Sequence, residues 1–401
     1  MPGTNLDTNL PTSLEVLRTT MTAYATREVG LQATMPALVK RDISLDSMSE
    51  TTDKIRISVS GKLEDRPETN GIYPANIQAL SRRNVDLTFF SREVPFQLTN
   101  QDYRQLNINA SIMPDAIIEA SRATASTINR RLINSYRDVY TIAGTVTTSP
   151  FSSDGGILTE AFTKLLKAPT NDRVTVLNQH DAERAIDLYG TPTAKGDTTD
   201  TANLGTKKGF QTHIDPEMIA HVAGTGADIL VAADAAKGAT QVTIDSVTGG
   251  TLMYGDILTF DGHTQTYVVG KGVFATKQNA DDAAQDVALD YTSVADVTSA
   301  IVDISPPLQV AVANNVEVTL MPTHNVSLAF QKNAFIYAPR QVVNMGTPEF
   351  SRTLIDNVTN TPIKLTIVNG WNQQATVLSS YYGIGTLYPD FAVRMVGLPN
   401  V

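Results

Sequence analysis

The chain has 401 residues, of which 42% are apolar, and its 31 basic and 41 acidic residues give a formal net charge of −10. This length can hold two or three domains, and the apolar content argues against wholesale disorder. The basic residues are scattered rather than arranged in stripes, so the sequence lacks the footprint of a protein that grips nucleic acid. Because cysteine is absent, disulfides, thiolate metal sites and a cysteine nucleophile are excluded.

Neither a membrane span nor a secretion signal is predicted. No apolar run approaches the ~20 residues that cross a bilayer. The N-terminus lacks the basic start and apolar core of a signal peptide. A protein made in a reducing cytoplasm fits these features best.

The first hundred residues predict an arm, a helix and two strands. A capping-box spacing and apolar residues at helical intervals predict a helix over 12–26, preceded by a polar arm. Residues 54–60 and 85–90 each alternate between apolar and polar, which predicts strands. The long polar segment between them, around Gly61–Gly71, predicts a protruding loop that lies on a neighbouring subunit.

The strongest helix signal follows these strands. Pro114 suits a first helical position, Asp115 suits the positive end of a helix, and Gly144 suits its exit. Apolar and small residues recur at helical spacing between them. The run of roughly 30 residues, about 45 Å long, predicts a structural spine.

Shorter elements of both types come next. Residues 157–167 predict a helix and residues 174–177 a strand. Asn178, followed by Asp181, opens another helix. Residues 191–208 predict a mobile polar loop.

The chain changes character between about Gly224 and Pro307. Short runs that alternate in polarity are separated by Gly/Asp turns, which predicts a small antiparallel barrel or sandwich inserted in a larger α+β scaffold. Six further strands, which complete a closing sheet, are predicted at 316–320, 326–330, 334–338, 363–368, 377–382 and 391–396.

A search for catalytic and metal-binding patterns gives one weak lead. The five histidines are His180, His213, His221, His263 and His324. His213 and His221, with Asp215 and Glu217, form the only cluster of potential metal ligands in the sequence. A helix through this segment would place Glu217 and His221 on one face, where both could bind one metal ion. Pro216 argues against a continuous helix, and the alternative is a junction with polar side chains in solvent. No catalytic, cofactor-binding or metal residue is therefore assigned.

Other local patterns predict no chemistry. Gly224-Thr225-Gly226 is too short for a dinucleotide fingerprint, and there is no phosphate loop, nucleophile elbow or kinase motif. Asp281-Asp282 is expected to face solvent in a polar loop. Asn109-Ala110-Ser111 and Asn325-Val326-Ser327 match glycosylation acceptors by chance, and Trp371 is expected in packing rather than in base stacking. The chain is predicted not to be an enzyme.

The order of these parts, together with a few short motifs, carries a resemblance. Phe96-Gln97-Leu98 precedes the spine helix, Gly255–Phe260 starts a strand of the inserted module, and Tyr382-Gly383-Ile384, Pro389 and Gly397-Leu398-Pro399 lie near the end. In this order the chain resembles the major capsid proteins of tailed bacteriophages. It is most similar to the coat proteins of the short-tailed Salmonella phage group, which carry an inserted β domain.

The resemblance implies an α+β, HK97-like phage capsid fold with a long spine helix, an extended loop and an inserted small antiparallel β-barrel domain. Its parts would be an N-terminal arm and helix (1–47), an extended loop (48–100), the spine helix with an α+β region (101–223), the inserted barrel (224–307) and closing strands (308–401).

The resemblance also implies a function. The chain would self-assemble as hexamers and pentamers into the icosahedral shell of a virion, around double-stranded DNA that it does not bind sequence-specifically. Assembly in the host cytoplasm would use a separate scaffolding protein and a portal protein, through a procapsid that expands on packaging, with no cofactor and no membrane. The arm 1–26 and the loop would be the main intersubunit pieces. In the barrel, which would contact a neighbour, Asp256, Asp261 and Asp281-Asp282 would serve turns or salt bridges.

Three alternatives stay open from the sequence. An encapsulin-like nanocompartment shell would need a cargo-binding patch. A phage fibre or decoration β protein would need repeats and β structure throughout, which the spine helix opposes. An α+β enzyme with an inserted β domain would need a convergent polar pocket, for which the histidine cluster is the only lead.

Overall fold

A computed structural model gives the fold. It describes residues 10–41, 54–60, 82–97, 115–151, 156–165, 167–189, 204–246, 251–270, 276–277, 290–291, 300–342, 350–356, 359–369 and 374–399.

The described residues contain helices and many strands, in an α+β order. The α-helices are α1 (Leu10–Gln32), α2 (Met35–Leu38), α3 (Asp115–Ile133), α4 (Gly156–Lys164) and α5 (Gln179–Tyr189). Short 3₁₀ turns span Asn134–Asp138, Lys332–Ala334 and Pro389–Phe391. None of the described helices is long and apolar enough to cross a bilayer.

The strands, in chain order, are β1 (Lys40–Arg41), β2 (Lys54–Ser60), β3 (Arg82–Gln97), β4 (Ile142–Ala143), β5 (Arg173–Leu177), β6 (Thr206–Lys207), β7 (Phe210–Ile214), β8 (Ile229–Val231), β9 (Gln241–Ser246), β10 (Ile257–Phe260), β11 (Tyr267–Val269), β12 (Thr276–Lys277), β13 (Asp290–Tyr291), β14 (Ala300–Ser305), β15 (Glu317–Leu320), β16 (Asn325–Gln331), β17 (Phe335–Arg340), β18 (Phe350–Ile355), β19 (Pro362–Asn369), β20 (Gln374–Thr386) and β21 (Ala392–Gly397).

The first sheet has seven strands around β20. One side of β20 pairs with β3, and the other pairs with β19 over its first half and with β17 over its second half. Strands β18, β1 and β2 then extend from β19, β17 and β3 respectively. The two predicted strands over 54–60 and 85–90 therefore do pair, as an antiparallel ribbon of β2 and β3.

The second sheet has six strands in the order β4-β21-β16-β5-β7-β6. Both faces of its central strands are covered, so every residue of β16 and β5 is buried. Val326, Leu328 and Phe330 pack on the side of α3, whereas Ala329 packs on the side of α4 and α5. Continuous burial explains why these strands read as apolar runs rather than as alternating ones.

The inserted module is a closed antiparallel barrel with the strand order β10-β11-β14-β9-β8-β15. Closure pairs β15 with both β10 and β8. The strand at 316–320 was predicted to belong to the closing region, and this assignment was wrong. It completes the barrel, which therefore extends beyond residue 307. Its apolar side alternates along β15 and fills the barrel interior, with Val318 buried. We call all the remaining helices and sheets the body.

The spine helix is shorter than predicted. Helix α3 has 19 residues and gives way to a 3₁₀ turn, after which Val139 is extended. The apolar periodicity continues past the end of α3 because the 3₁₀ turn keeps Tyr136 on the buried side. Gly144, predicted as the helix exit, instead follows β4 with φ +88°.

Helix α1 is longer than the predicted 12–26 and packs against the spine. Met21, Ala25 and Val29 on its inner face share one apolar core with Ile128 and Leu132 of α3. The segment predicted as a mobile loop over 191–208 lies partly outside the described residues, but its end forms β6, which pairs with β7. The six late strands do not form one closing sheet, because two join the second sheet and three join the first.

Asn178 caps α5, as predicted. Its Oδ1 accepts the Asp181 backbone N–H at 2.7 Å, and its Nδ2 donates to the Val326 carbonyl at 3.1 Å. Asn178→Ala should lower the free energy of unfolding by about 1–2 kcal/mol, because the first turn of α5 loses its cap. Urea unfolding followed by circular dichroism measures this. Asn171→Ala, at an exposed site just before β5, is the matched control and should change stability by less than about 0.5 kcal/mol. Equal effects of the two changes would contradict the capping role.

Candidate functional site

The barrel meets the body at a buried group of polar side chains, which we call the junction cluster: Tyr136, His221, Asp256, His324 and Arg394. They come from the 3₁₀ turn after α3, from the two chain segments that enter and leave the barrel, from a barrel turn and from β21. All five side chains are buried.

His221 occupies the centre of the junction cluster. Its Nε2 lies 2.9 Å from Asp256 Oδ1, and its Nδ1 lies 3.0 Å from the Tyr136 hydroxyl. Because the Asp256 carboxylate can only accept, the imidazole hydrogen is on Nε2 and Nδ1 accepts from Tyr136. Neutral His221 is thus fully hydrogen-bonded in this tautomer.

Asp256 closes the barrel turn at the same point. Its Oδ2 accepts the backbone N–H groups of Met253 at 2.7 Å and of Gly224 at 3.2 Å. Asp256 therefore serves a turn, as predicted, and its contact to the neutral His221 is a hydrogen bond rather than the predicted alternative of a salt bridge. Asp261 lies in the turn after β10, where its N–H donates to the Glu317 carbonyl. Asp281-Asp282 lies outside the described residues.

Arg394 is the positively charged member of the junction cluster. Its two terminal nitrogens donate to the Gly255 carbonyl at 3.0 Å and to the Tyr136 carbonyl at 2.8 Å, so one guanidinium bridges the barrel and the body. Burial lowers the pKa of Arg394 to about 10, which leaves it charged at neutral pH. The guanidinium also lies 4.9 Å from the centre of the Tyr136 ring.

The two histidines are neutral for a physical reason. Burial lowers the pKa of His221, and the charge of Arg394 acts in the same direction against its hydrogen bond to Asp256. Burial also lowers the pKa of His324 to about 3. The backbones of His221 and His324 pair across the chain segments that enter and leave the barrel, with N–H to O distances of 2.8 and 3.1 Å.

The potential metal ligands weighed in the sequence, His213, Asp215, Glu217 and His221, do not come together. His213 lies in β7, and Asp215 accepts from Thr34 and from Asn129, both at 2.6 Å. Glu217 accepts from Asn129 at 2.9 Å and pairs with Arg130 of α3. His221 instead belongs to the junction cluster.

This separation follows from the backbone, because β7 ends at Ile214 and the chain does not continue as a helix. Within the described part of the chain there is no group of three or more His, Asp or Glu that could hold a metal ion. The Asp215 and Glu217 carboxylates instead attach this segment to α2 and α3.

The remaining sequence candidates have other places. His180 lies in α5, and His263 contacts the Tyr267 hydroxyl at 3.0 Å inside a barrel turn. Asn325 is buried at the start of β16, which leaves no room for a glycan. Asn109 and Trp371 lie outside the described residues.

Sequence reasoning missed Arg394 and Tyr136. Both were read as parts of apolar elements, and nothing in their local sequence shows that they meet. The one local signal was the Gly255-Asp256 turn, whose fully buried carboxylate requires partners.

A cleft of about 380 Å³ separates the barrel from the body on one side of the junction. Lys164, Lys167 and Asp390 line it from the body, and Gln265 and Gln309 line it from the barrel. Tyr140 donates to Asp390 there, and burial raises the pKa of the Tyr140 hydroxyl above its ordinary range.

Two surface features stand out against the packed body. The ribbon of β2 and β3 is anchored by Val59, Leu87 and Phe89, which pack on the first sheet, and it ends in the exposed Arg82 and Asn84. Three apolar side chains between the end of β7 and the barrel, Ile214, Ile219 and Val222, are 38, 50 and 68% exposed.

Comparison with known proteins gives structural neighbours only. No protein-family model matches the chain, and no curated protein matches it. The chain is similar to a solved structure from Mycobacterium phage Che8, with 12% identity over 91% of both chains and a TM-score of 0.46. It is also similar to the capsid of Cyanophage P-SCSP1u, with 9% identity, coverage of 90% of this chain and 87% of that chain, and a TM-score of 0.42.

A third neighbour is a virus-like particle from Pyrococcus furiosus, with 10% identity, coverage of 95% of this chain and 98% of that chain, and a TM-score of 0.39. At these identities and TM-scores the likeness does not by itself assign a function. The resemblance to the short-tailed Salmonella phage group stays a prediction.

Proposed function

We propose that this chain is the subunit of an icosahedral shell of the tailed-phage type, which it builds by self-assembly as hexamers and pentamers around double-stranded DNA. The observation that carries the proposal is the ribbon of β2 and β3. Its base is packed into the first sheet, whereas its far end exposes Arg82 and Asn84 and leads into the connection 61–81. That connection contains apolar residues such as Ile72 and Tyr73, for which an adjoining copy would supply partners.

Other features support assembly from many copies. The exposed apolar side chains of Ile214, Ile219 and Val222 are surface that a neighbouring copy would cover, and many modest contacts around a symmetric ring add up to a stable shell. The net charge of −10 favours enclosing DNA over gripping it. In this proposal a separate scaffolding protein and a portal protein take part, the procapsid expands on packaging, and the mature protein is a component of the virion.

Electron microscopy of the full chain, expressed alone and with its neighbouring genes, tests the function. Closed shells are expected with the scaffolding partner. Replacement of residues 62–80 by Asn-Gly should abolish shells while the subunit stays folded, because the ribbon then cannot reach a neighbour. Removal of residues 1–9, the arm before α1, should also impair assembly.

A deletion of similar length provides the control for these variants. Replacing residues 191–202, between α5 and β6, by Gly-Ser should leave shell assembly intact. Normal shells from the shortened ribbon would contradict its role. Wild-type protein that stays monomeric under every co-expression condition, or that forms fibres, would contradict the shell function itself.

A further inference from the structure

The contact between the barrel and the body is polar rather than apolar. Among the described residues, the buried apolar side chains of the barrel form one cluster, those of the body form three others, and no cluster spans the two. Besides the junction cluster, the described contacts across the boundary include hydrogen bonds from Thr266 to the Tyr140 carbonyl at 2.7 Å and from Tyr254 to Asp138, and the Arg137 guanidinium over the Tyr254 ring. Polar contacts, with the junction cluster at their centre, therefore dock the barrel on the body in place of a shared apolar core.

The geometry around the junction limits what must be broken to separate the two parts. On one side the cleft of about 380 Å³ separates them except at the hydrogen bond from Thr266 to the Tyr140 carbonyl. On the other side, the docking contacts converge on the Gly255-Asp256 turn, which Arg394 and His221 hold from the body and the entering segment. The barrel is attached to the body by two chain segments, at His221 and His324, whose backbones pair with each other.

We propose that His221 is an acid-sensitive latch: in its neutral form it docks the barrel on the body, and uptake of one proton releases the barrel to move about its two connecting segments. The neutral imidazole satisfies Asp256 and Tyr136 at once, with Nδ1 as the acceptor. A protonated imidazole carries a hydrogen on Nδ1, so the Tyr136 hydroxyl can no longer donate to it and must accept instead, and the buried site gains a positive charge beside Arg394.

The charged groups that face His221 disfavour its protonation in the docked state. The groups concerned are Tyr136, Arg137, Tyr254, Asp256, His324 and Arg394. Two of them are cations, Arg137 and Arg394, against the single carboxylate of Asp256, so a further positive charge is not balanced. His324 cannot take the proton instead, since its Nδ1 donates to the Pro322 carbonyl and its buried Nε2 has no hydrogen-bond partner among the described residues.

The direction of the pH dependence follows from linkage. The pKa of His221 is lowered in the docked state, and release returns it towards the ordinary value of about 6.5. The released state therefore binds more protons, so docking is strongest above about pH 6.5 and weakens below it. One proton per release lowers the docking constant about tenfold per pH unit until the docked-state pKa is reached.

Spin-label distance measurements on the full chain test the latch. The chain has no cysteine, so labels can be placed specifically at Val310→Cys on the barrel and Glu119→Cys on α3, both exposed sites. We expect one narrow distance at pH 7.5, and a second, broader population that grows about tenfold relative to the first per pH unit below about 6.5. A distance that stays unchanged down to acid unfolding would overturn the proposal.

Two variants and a control identify the group that titrates. His221→Gln keeps a donor for Asp256 and an acceptor for Tyr136 but cannot take up a proton, so its distance should be independent of pH. His180→Gln in α5 is the matched control and should behave as the wild type. Release that persists in His221→Gln, or that disappears only in His324→Gln, would overturn the assignment to His221.

Tyr136→Phe is a second test of the proposal, for use if His221→Gln does not fold. Removing the hydroxyl takes away the hydrogen bond that favours the neutral imidazole, so release should begin at a higher pH than in the wild type. A release midpoint that is unchanged or lower in Tyr136→Phe would count against the latch.

Discussion

Arg394→Met should lower the free energy of unfolding by about 3–4 kcal/mol, the largest effect we expect from a single change. Methionine fills much of the same volume, so little of this cost comes from a cavity. The cost arises because the carbonyls of Gly255 and Tyr136 lose charged donors and because the buried Asp256 loses the attraction of the Arg394 charge, with Arg137 as the remaining cation of the group. Urea unfolding followed by circular dichroism, at a pH above 7, measures the change.

A double-mutant cycle shows whether the charge or the shape of Arg394 is responsible. In the Asp256→Asn background the same Arg394→Met change should cost about 1–3 kcal/mol less, because there is no longer a buried carboxylate that loses the Arg394 charge. Arg130→Met is the control, since the Arg130 side chain is 42% exposed and lies 3.4 Å from Glu217, so its removal should cost less than about 1 kcal/mol. Additive effects of the Arg394 and Asp256 changes would show that the two do not act together.

Much of the fold could be predicted because its signals are local. The alternation over 54–60 predicted β2, and Asn178 with Asp181 predicted the start of α5 through a contact three residues apart. The Gly/Asp turns predicted a compact β module, which closes as a barrel. In each of these cases, residues close in sequence determine the conformation.

The errors arise where distant residues decide the structure. Whether the strand at Glu317–Leu320 closes the barrel or joins the body depends on pairing with Ile229–Val231 and Ile257–Phe260, which local alternation does not encode. The spine was predicted to be too long because the buried face continues into a 3₁₀ turn with nearly the same period. Neither boundary has a marker in its own sequence.

The candidate site was harder to predict than the fold. The histidine cluster over 213–221 was considered for its spacing, yet once β7 ends at Ile214 its two carboxylates contact Asn129 of α3, whereas His221 contacts Asp256. The junction cluster instead combines Tyr136, His221 and Arg394 from parts of the chain that are far apart in sequence. A buried polar network of this kind is fixed by tertiary packing, so only the structure reveals it.

Gly224 is the position at which the smallest change should most disturb the junction. A Cβ placed on it would lie 2.1 Å from the Thr251 carbonyl oxygen and 2.9 Å from the Leu252 Cα, both backbone atoms that cannot rotate away. Gly224→Ala must therefore displace the segment before the Asp256 turn, and with it the hydrogen bond from the Gly224 N–H to Asp256. We expect a loss of about 3 kcal/mol in the free energy of unfolding from this overpacking.

Gly226→Ala is the matched control two residues away. Its Cβ would lie 2.9 Å from the end of the Ile229 side chain, which can change rotamer, and 3.4 Å from the Thr251 carbonyl oxygen, which is an ordinary contact distance. Because alanine also restricts the unfolded chain, the net change there should lie within about 1 kcal/mol of zero. Hydrogen exchange at the Met253 amide, which donates to Asp256, should accelerate in Gly224→Ala and not in Gly226→Ala. Equal protection of that amide in both variants would mean that the approach of Gly224 to the 251–252 backbone does not hold the turn in place.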